Sequence, residues 1–389
     1  MLTNLADATR SRCGAKAATL AVLLRAGIAV PEGFVVPRDE ESEEEPGPAL
    51  RAAIARELER LGDPLAAVRS SATDEDAAEA SAAGQYESVI GVRGADEVCD
   101  AVATCRRSAR ADRVREYRRR TARPGAAAPG MAVLVQRLVA ADASGVMFTP
   151  QQPGEPTRIE ASWGLGLAVV DGSVDPDAYE VAADGGIASA PGRKALRTDA
   201  APGGGTVTQA VAPALRAERA LDEAMVSTLA ELGHRIAALL GGPQDVEWAT
   251  VDGQFRILQA RPVTAPLLPA APARTPARSD AILAGTPGSR GTATAIARVV
   301  RGPADFAAVR PGEILVCPST DPAWTPLFAV AGGIVTETGG ALSHAAIVAR
   351  EYALPAVLGV EGALARIRDG DRIAVDGAAG TVAIRPHAR

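Results

Sequence analysis

The apolar positions of this chain change period several times, and each change marks an element. Residues 17–26 are dominated by Ala and Leu, which are good helix formers, and Gly27 follows as a stop. After Pro31 and Gly33, the run Phe34-Val35-Val36 predicts a short strand. Residues 50–61 have the spacing of an amphipathic helix, and residues 98–120 that of a longer one. Residues 131–139 and 145–149 read as strands, and 214–240 as one helix. Residues 245–249 and 254–259 predict the two strands of a hairpin around Asp252-Gly253.

Residues 265–281 hold four prolines in 17 residues and no periodic apolar pattern. A Pro-rich segment is a semi-rigid spacer of about 3.1 Å per residue, so this one would reach on the order of 50 Å. The predicted domain break lies here, between residues 1–264 and 282–389. Beyond it, short strands are expected at 292–300, 314–316, 333–336, 356–358, 372–375 and 381–384, with one helix at 343–351. Strands mixed with few helices suggest an α/β layer fold. No internal repeat is evident.

Composition refines this picture. At roughly 100–200 residues per domain, 389 residues suggest two or three domains. Hydrophobic residues make up 47% but aromatics only 3%, so the core must be built from Ala, Val, Leu and Ile. The net charge of -6 argues against a protein that coats nucleic acid. The arginines from Arg106 to Arg120 read as a solvated helix face, and the acidic run at 39–45 as a solvated loop. Cys13, Cys99, Cys105 and Cys317 form no CxxC pair and no zinc spacing with the three histidines, so reduced thiols in a cytoplasmic protein are expected. The N-terminus has no apolar signal region, and no apolar run approaches the ~20 residues that span a bilayer.

Candidate chemistry concentrates in three places. In Thr336-Glu337-Thr338-Gly339-Gly340-Ala341-Leu342-Ser343-His344, a strand ends in a Gly-Gly turn that delivers His344 to a helix start. Glycines let a backbone approach phosphate closely, a helix N-terminus favours negative charge, and imidazole is a nucleophile near neutral pH. On these residues alone a structural histidine at a helix start is the better reading. In Asp245-Val246-Glu247, alternation puts both acids on one strand face, and Gln259 and Arg261 share a face of the partner strand. Such oxygens suit Mg²⁺, although two acids on one strand face are commonly just solvated. Finally, Lys16 and Arg69 lie in Gly14-Ala15-Lys16-Ala17 and Val68-Arg69-Ser70-Ser71-Ala72-Thr73-Asp74-Glu75-Asp76.

The string GGALSHAAIVARE closely resembles the phosphohistidine motif of the PEP-utilising dikinase family, which includes phosphoenolpyruvate synthase, pyruvate phosphate dikinase and rifampicin phosphotransferase. The likeness extends over 282–386, through Thr320-Asp321-Pro322, Leu354-Pro355-Ala356-Val357 and Asp369-Gly370-Asp371. The first 264 residues resemble the family's ATP-grasp domain. The resemblance implies an ATP-grasp nucleotide-binding domain followed by a swivelling β/β/α phosphohistidine domain. It makes His344 the phosphocarrier, with Lys16 and Arg69 on the phosphates of ATP. The segment Ala83-Gly84-Gln85-Tyr86 would close over them. Glu247 and Gln259 would hold Mg²⁺, with Asp245 and Arg261 assisting. The implied by-products are AMP and phosphate.

The sequence departs from the family at Gly164-Leu165-Gly166-Leu167, where an acid is usual in place of Leu167, and at Ala15 and Ala17, where glycines are usual. It also shows no recognisable acceptor domain. The expected acceptor is therefore a small molecule with a hydroxyl or amide, or a site on a separate acceptor subunit; neither nucleic acid nor membrane is an expected partner. A non-catalytic nucleotide sensor is the alternative.

Overall fold

Three sheets carry the chain in the computed structural model, which describes residues 1–38, 45–73, 86–111, 114, 131–264, 266–267 and 282–385. Most of the acidic run, Asp74-Glu75-Asp76, Ala83-Gly84-Gln85, most of the arginine run and nearly all of the Pro-rich segment lie outside the described residues.

The first sheet is antiparallel, in the order Thr3–Asn4, Gly33–Val36, Met131–Arg137, Ala66–Ala72, Ser88–Val92. Its outer face packs on helices Pro48–Arg60 and Gly94–Ser108 through Ile54, Val68, Val102 and Val133. The second sheet is also antiparallel: Gln254–Pro262, Gln244–Val251, Ala143–Phe148, Thr157–Trp163, Asp177–Val181, Ile187–Ala190. Helices Arg10–Arg25 and Glu223–Leu240 share its core through Leu20, Leu229, Met147 and Trp248. A small hairpin, Leu196–Ala200 with Thr206–Ala210, stands beside it.

The third sheet has eight strands. Its centre is parallel: Thr292–Val299, Ile314–Cys317, Gly333–Thr336, Ala356–Leu358. Antiparallel strands flank this centre on both sides. The apolar side of helix His344–Glu351 packs on it, with Ala345, Val348 and Ala349 against Leu315, Ile334 and Leu358. The protein is thus mixed α/β, as the sequence implies.

Several elements differ from expectation. The single helix expected at 214–240 is two, Pro213–Ala217 and Glu223–Leu240. The break comes where Asp222 adopts an extended backbone and its side chain accepts from Met225 N, which starts a new helix. The helix expected at 98–120 begins earlier and is described as Gly94–Ser108. Short helices Thr325–Phe328 and Ala363–Arg366 join the one expected in the C-terminal half. The four cysteines are all buried and form no disulfide. Among the described residues, no helix is long and apolar enough to cross a membrane.

Candidate active site

The Lys16 turn is built by a glycine. Helix Arg10–Arg25 is interrupted at Gly14, where φ is 78°. A Cβ there would overlap the carbonyl oxygen of Ser71. The contact is locked on both sides: Ser71 Oγ donates to Cys13 O at 2.8 Å and accepts from Ala17 N at 3.1 Å. Lys16 is thereby buried, with Nζ donating to Ser70 O at 3.0 Å.

Arg69 leaves the same strand and reaches the 244–262 hairpin. One guanidinium nitrogen donates to Glu247 Oε2 at 2.8 Å and Gln259 Oε1 at 2.9 Å; the other donates to Leu258 O at 2.6 Å. Antiparallel register makes the rest. Glu247 stands opposite Gln259, and Asp245 opposite Arg261. Arg261 Nε and a terminal nitrogen donate to Asp245 Oδ2 at 2.8 and 2.7 Å. The two strands thus set one acid beside the amide and the other beside the guanidinium.

His344 is the first residue of its helix, after Ser343 in extended backbone. Nδ1 lies 3.3 Å from Thr320 Oγ1. Nε2 is buried and has no hydrogen-bond partner among the described residues. The ring meets Phe328 edge-on, with centroids 6.2 Å apart. Burial, and then the Arg261 guanidinium, push the imidazole down to about 4, so it is neutral at physiological pH. Arg350, one of the last residues of the helix, donates back to Ala341 O at 2.9 Å and braces the turn.

A single cavity of about 480 Å³ brings these groups together: Lys16, Arg69, Asp245, Glu247, Gln259, Arg261 and His344 all line it. Another part of its wall is apolar, formed by Ile90, Leu138, Ala141, Leu165, Ala249 and Leu258. Leu167, where an acid was expected, also lines it. One helical turn further on, so does Asp171, which the sequence reading missed. Burial, followed by the charges of Asp321 and Glu247, pushes Asp171 up to about 6. The i to i+4 spacing from Leu167 was the signal that could have found it. The Gly339-Gly340 turn also differs from expectation. It packs against the backbone and carboxylates of the second sheet's unit.

Two family descriptions match the chain. "Pyruvate phosphate dikinase, AMP/ATP-binding domain" covers residues 42–271, and "PEP-utilising enzyme, mobile domain" covers 309–380. This chain belongs to the PEP-utilising dikinase family. Among its relatives is a probable phosphoenolpyruvate synthase of Methanothermobacter thermautotrophicus, 39% identical over 83% of this chain and 48% of the relative. The phosphoenolpyruvate synthase of Aeropyrum pernix is 33% identical over 95% of this chain and 56% of its own length. That of Escherichia coli is 35% identical over 81% and 42%. The chain thus spans about half the length of the curated relatives it matches.

Proposed function

We propose that this chain is an ATP-dependent phosphotransferase that loads His344 from ATP and passes the phosphoryl group to a small-molecule acceptor. The observation that carries this reading is the shared cavity, which His344 lines together with Lys16, Arg69 and Arg261.

The chemistry follows from the groups present. With its proton on Nδ1 and donated to Thr320 Oγ1, the ring keeps a lone pair on Nε2. The depressed pKa holds that lone pair free across physiological pH. Phosphoryl transfer asks mainly for positioning and charge stabilisation. Lys16 supplies a point charge, Arg69 and Arg261 supply planar donors, and a water-poor cleft strengthens all three. The apolar wall around Leu165 and Leu258 suits a nucleobase. Glu247 and Gln259 offer an all-oxygen set that one Arg69 nitrogen already gathers, which fits Mg²⁺. Mg²⁺ bound there would offset phosphate charge. No cluster of three His, Cys, Asp or Glu side chains occurs among the described residues, so phosphate and water oxygens would complete its shell.

The family resemblance implies attack on the β-phosphate, leaving AMP and a pyrophosphoryl group on His344, from which water releases phosphate to leave the phosphoryl group. The phosphoenolpyruvate synthases among the relatives make pyruvate the first acceptor to try. The test is AMP and phosphoenolpyruvate production from Mg²⁺-ATP, with and without pyruvate, beside His344→Ala. AMP from wild type, at least about 100-fold above the variant, supports the reading. Equal AMP from both proteins overturns it. A single equivalent of AMP that pyruvate does not extend would point to another acceptor, or to an acceptor site on a separate subunit.

A further inference from the structure

Glu160 is a carboxylate in the middle of strand Thr157–Trp163, 5% exposed, and the C-terminal unit covers it. Leu342 N donates to its Oε2 at 3.2 Å, and Ala341 N–H also faces it. Gly340 lies directly over the carboxyl group, and a Cβ there would overlap both oxygens. The neighbouring contacts are of the same kind. Gly339 N donates to Asp175 Oδ1 at 3.1 Å, and Thr338 Oγ1 donates to Gly172 O at 2.6 Å. Gly172 and Gly339 pass backbone to backbone. What the N-terminal unit grips is therefore the main chain just before His344, at its two motif glycines.

We propose that Glu160 is the positioning residue of the loading step: its carboxyl receives the 340–342 turn, seats His344 in the cleft, and sets how tightly the C-terminal unit docks. The proposal rests on the loading role of His344 given above. Its test needs no turnover, so the two can fail separately.

The charged groups around Glu160 are few. Arg158 on its own strand is paired with Glu180 of the next strand at 3.0 Å. Arg350 on the His344 helix also faces it, and Arg350 itself faces Asp245 and Glu351. No ion pair to Glu160 occurs among the described residues. Burial pushes the carboxyl up to about 7, against the pull of the Leu342 and Ala341 N–H groups and the two arginines. On undocking it returns to water and to its ordinary value of 4.5. Docking therefore takes up a proton at Glu160, and this contribution weakens as pH rises through 7. His344 acts in the opposite sense. Docking lowers its pKa from 6.5 to about 4, so its contribution weakens as pH falls below 6.5. The two oppose each other in the wild type, and Asp171, pushed up to about 6 in the same cleft, acts in the sense of Glu160. Removing the Glu160 charge would unmask the histidine.

The experiment places spin labels on the full chain at Glu231→Cys and Arg368→Cys, two exposed positions, one on each unit; the native cysteines are buried. The docked and undocked distances are then read by pulsed dipolar spectroscopy. Gly340→Ala is expected to lower the docked-to-undocked ratio at least tenfold. Adding Glu160→Ala to it, which vacates the space the methyl needs, is expected to recover only part of the docking, because the Leu342 and Ala341 N–H groups lose their acceptor. Between pH 8 and pH 6 the wild-type ratio should rise about tenfold relative to that of Glu160→Gln. Gly340→Ala docking like wild type, a defect that Glu160→Ala leaves in place, or the same pH trend in wild type and Glu160→Gln would each overturn the proposal.

Discussion

Arg69 holds three acceptors at once: Glu247, Gln259 and the Leu258 carbonyl. A lysine there would keep the charge but lose the fork that gathers them. Arg69→Lys is expected to slow single-turnover loading of His344 at least about 100-fold. Its melting temperature should stay within a few degrees, because the position is a partly exposed cleft wall rather than core. Loading within a factor of five of wild type would show that the fork is not needed. At this scale the sequence was informative wherever a residue sat in a motif: Lys16, Arg69, Asp245, Glu247, Gln259, Arg261 and His344 all line one cavity. Glu160 was illegible because its partner, Leu342, lies 182 residues away and contributes only a backbone N–H. Asp171 lies one helical turn beyond the Gly164-Leu165-Gly166-Leu167 motif, where only its spacing from Leu167 marks it.

Elements were legible where period and punctuation agree. The 244–262 hairpin shows both, with Asp252-Gly253 between its strands and Asp252 at φ 50°. Strand Thr157–Trp163 shows neither, because buried Glu160 and Ser162 interrupt the apolar pattern on a face that packs against another unit. The 196–210 hairpin is polar and largely exposed, so no apolar period marks it. The Arg10–Arg25 helix hides its kink for another reason: a lone glycine in a helical pattern is tolerated, and only Ser71 explains it. Gly14→Ala combines a positive φ with an overlap against backbone, both costly. It is expected to lower unfolding free energy by about 2–4 kcal/mol and to weaken nucleotide binding as Lys16 shifts. Chemical denaturation and calorimetric ATP titration would check both; a change below about 0.5 kcal/mol would mean that Ser71 yields easily.

Across the whole molecule, the structure holds the C-terminal unit in one position, with His344 in the nucleotide-type cleft and its preceding turn against Glu160, Gly172 and Asp175. Ile347 and Leu342 join Val146, Phe148 and Val169 in one apolar cluster across the contact. Apolar area holds the two units together, while the buried Glu160 carboxyl works against a permanent embrace. A carrier needs both properties if it is to load here and discharge elsewhere. Everything downstream depends on whether His344 takes phosphate from ATP at all. The direct measurement is the intact mass of the protein after a short incubation with Mg²⁺-ATP, beside His344→Ala, each before and after brief acid treatment. An acid-labile phosphoryl or pyrophosphoryl adduct is expected on the wild type and none on the variant. An adduct of equal size on both proteins, or none on a wild type that binds ATP, would contradict it.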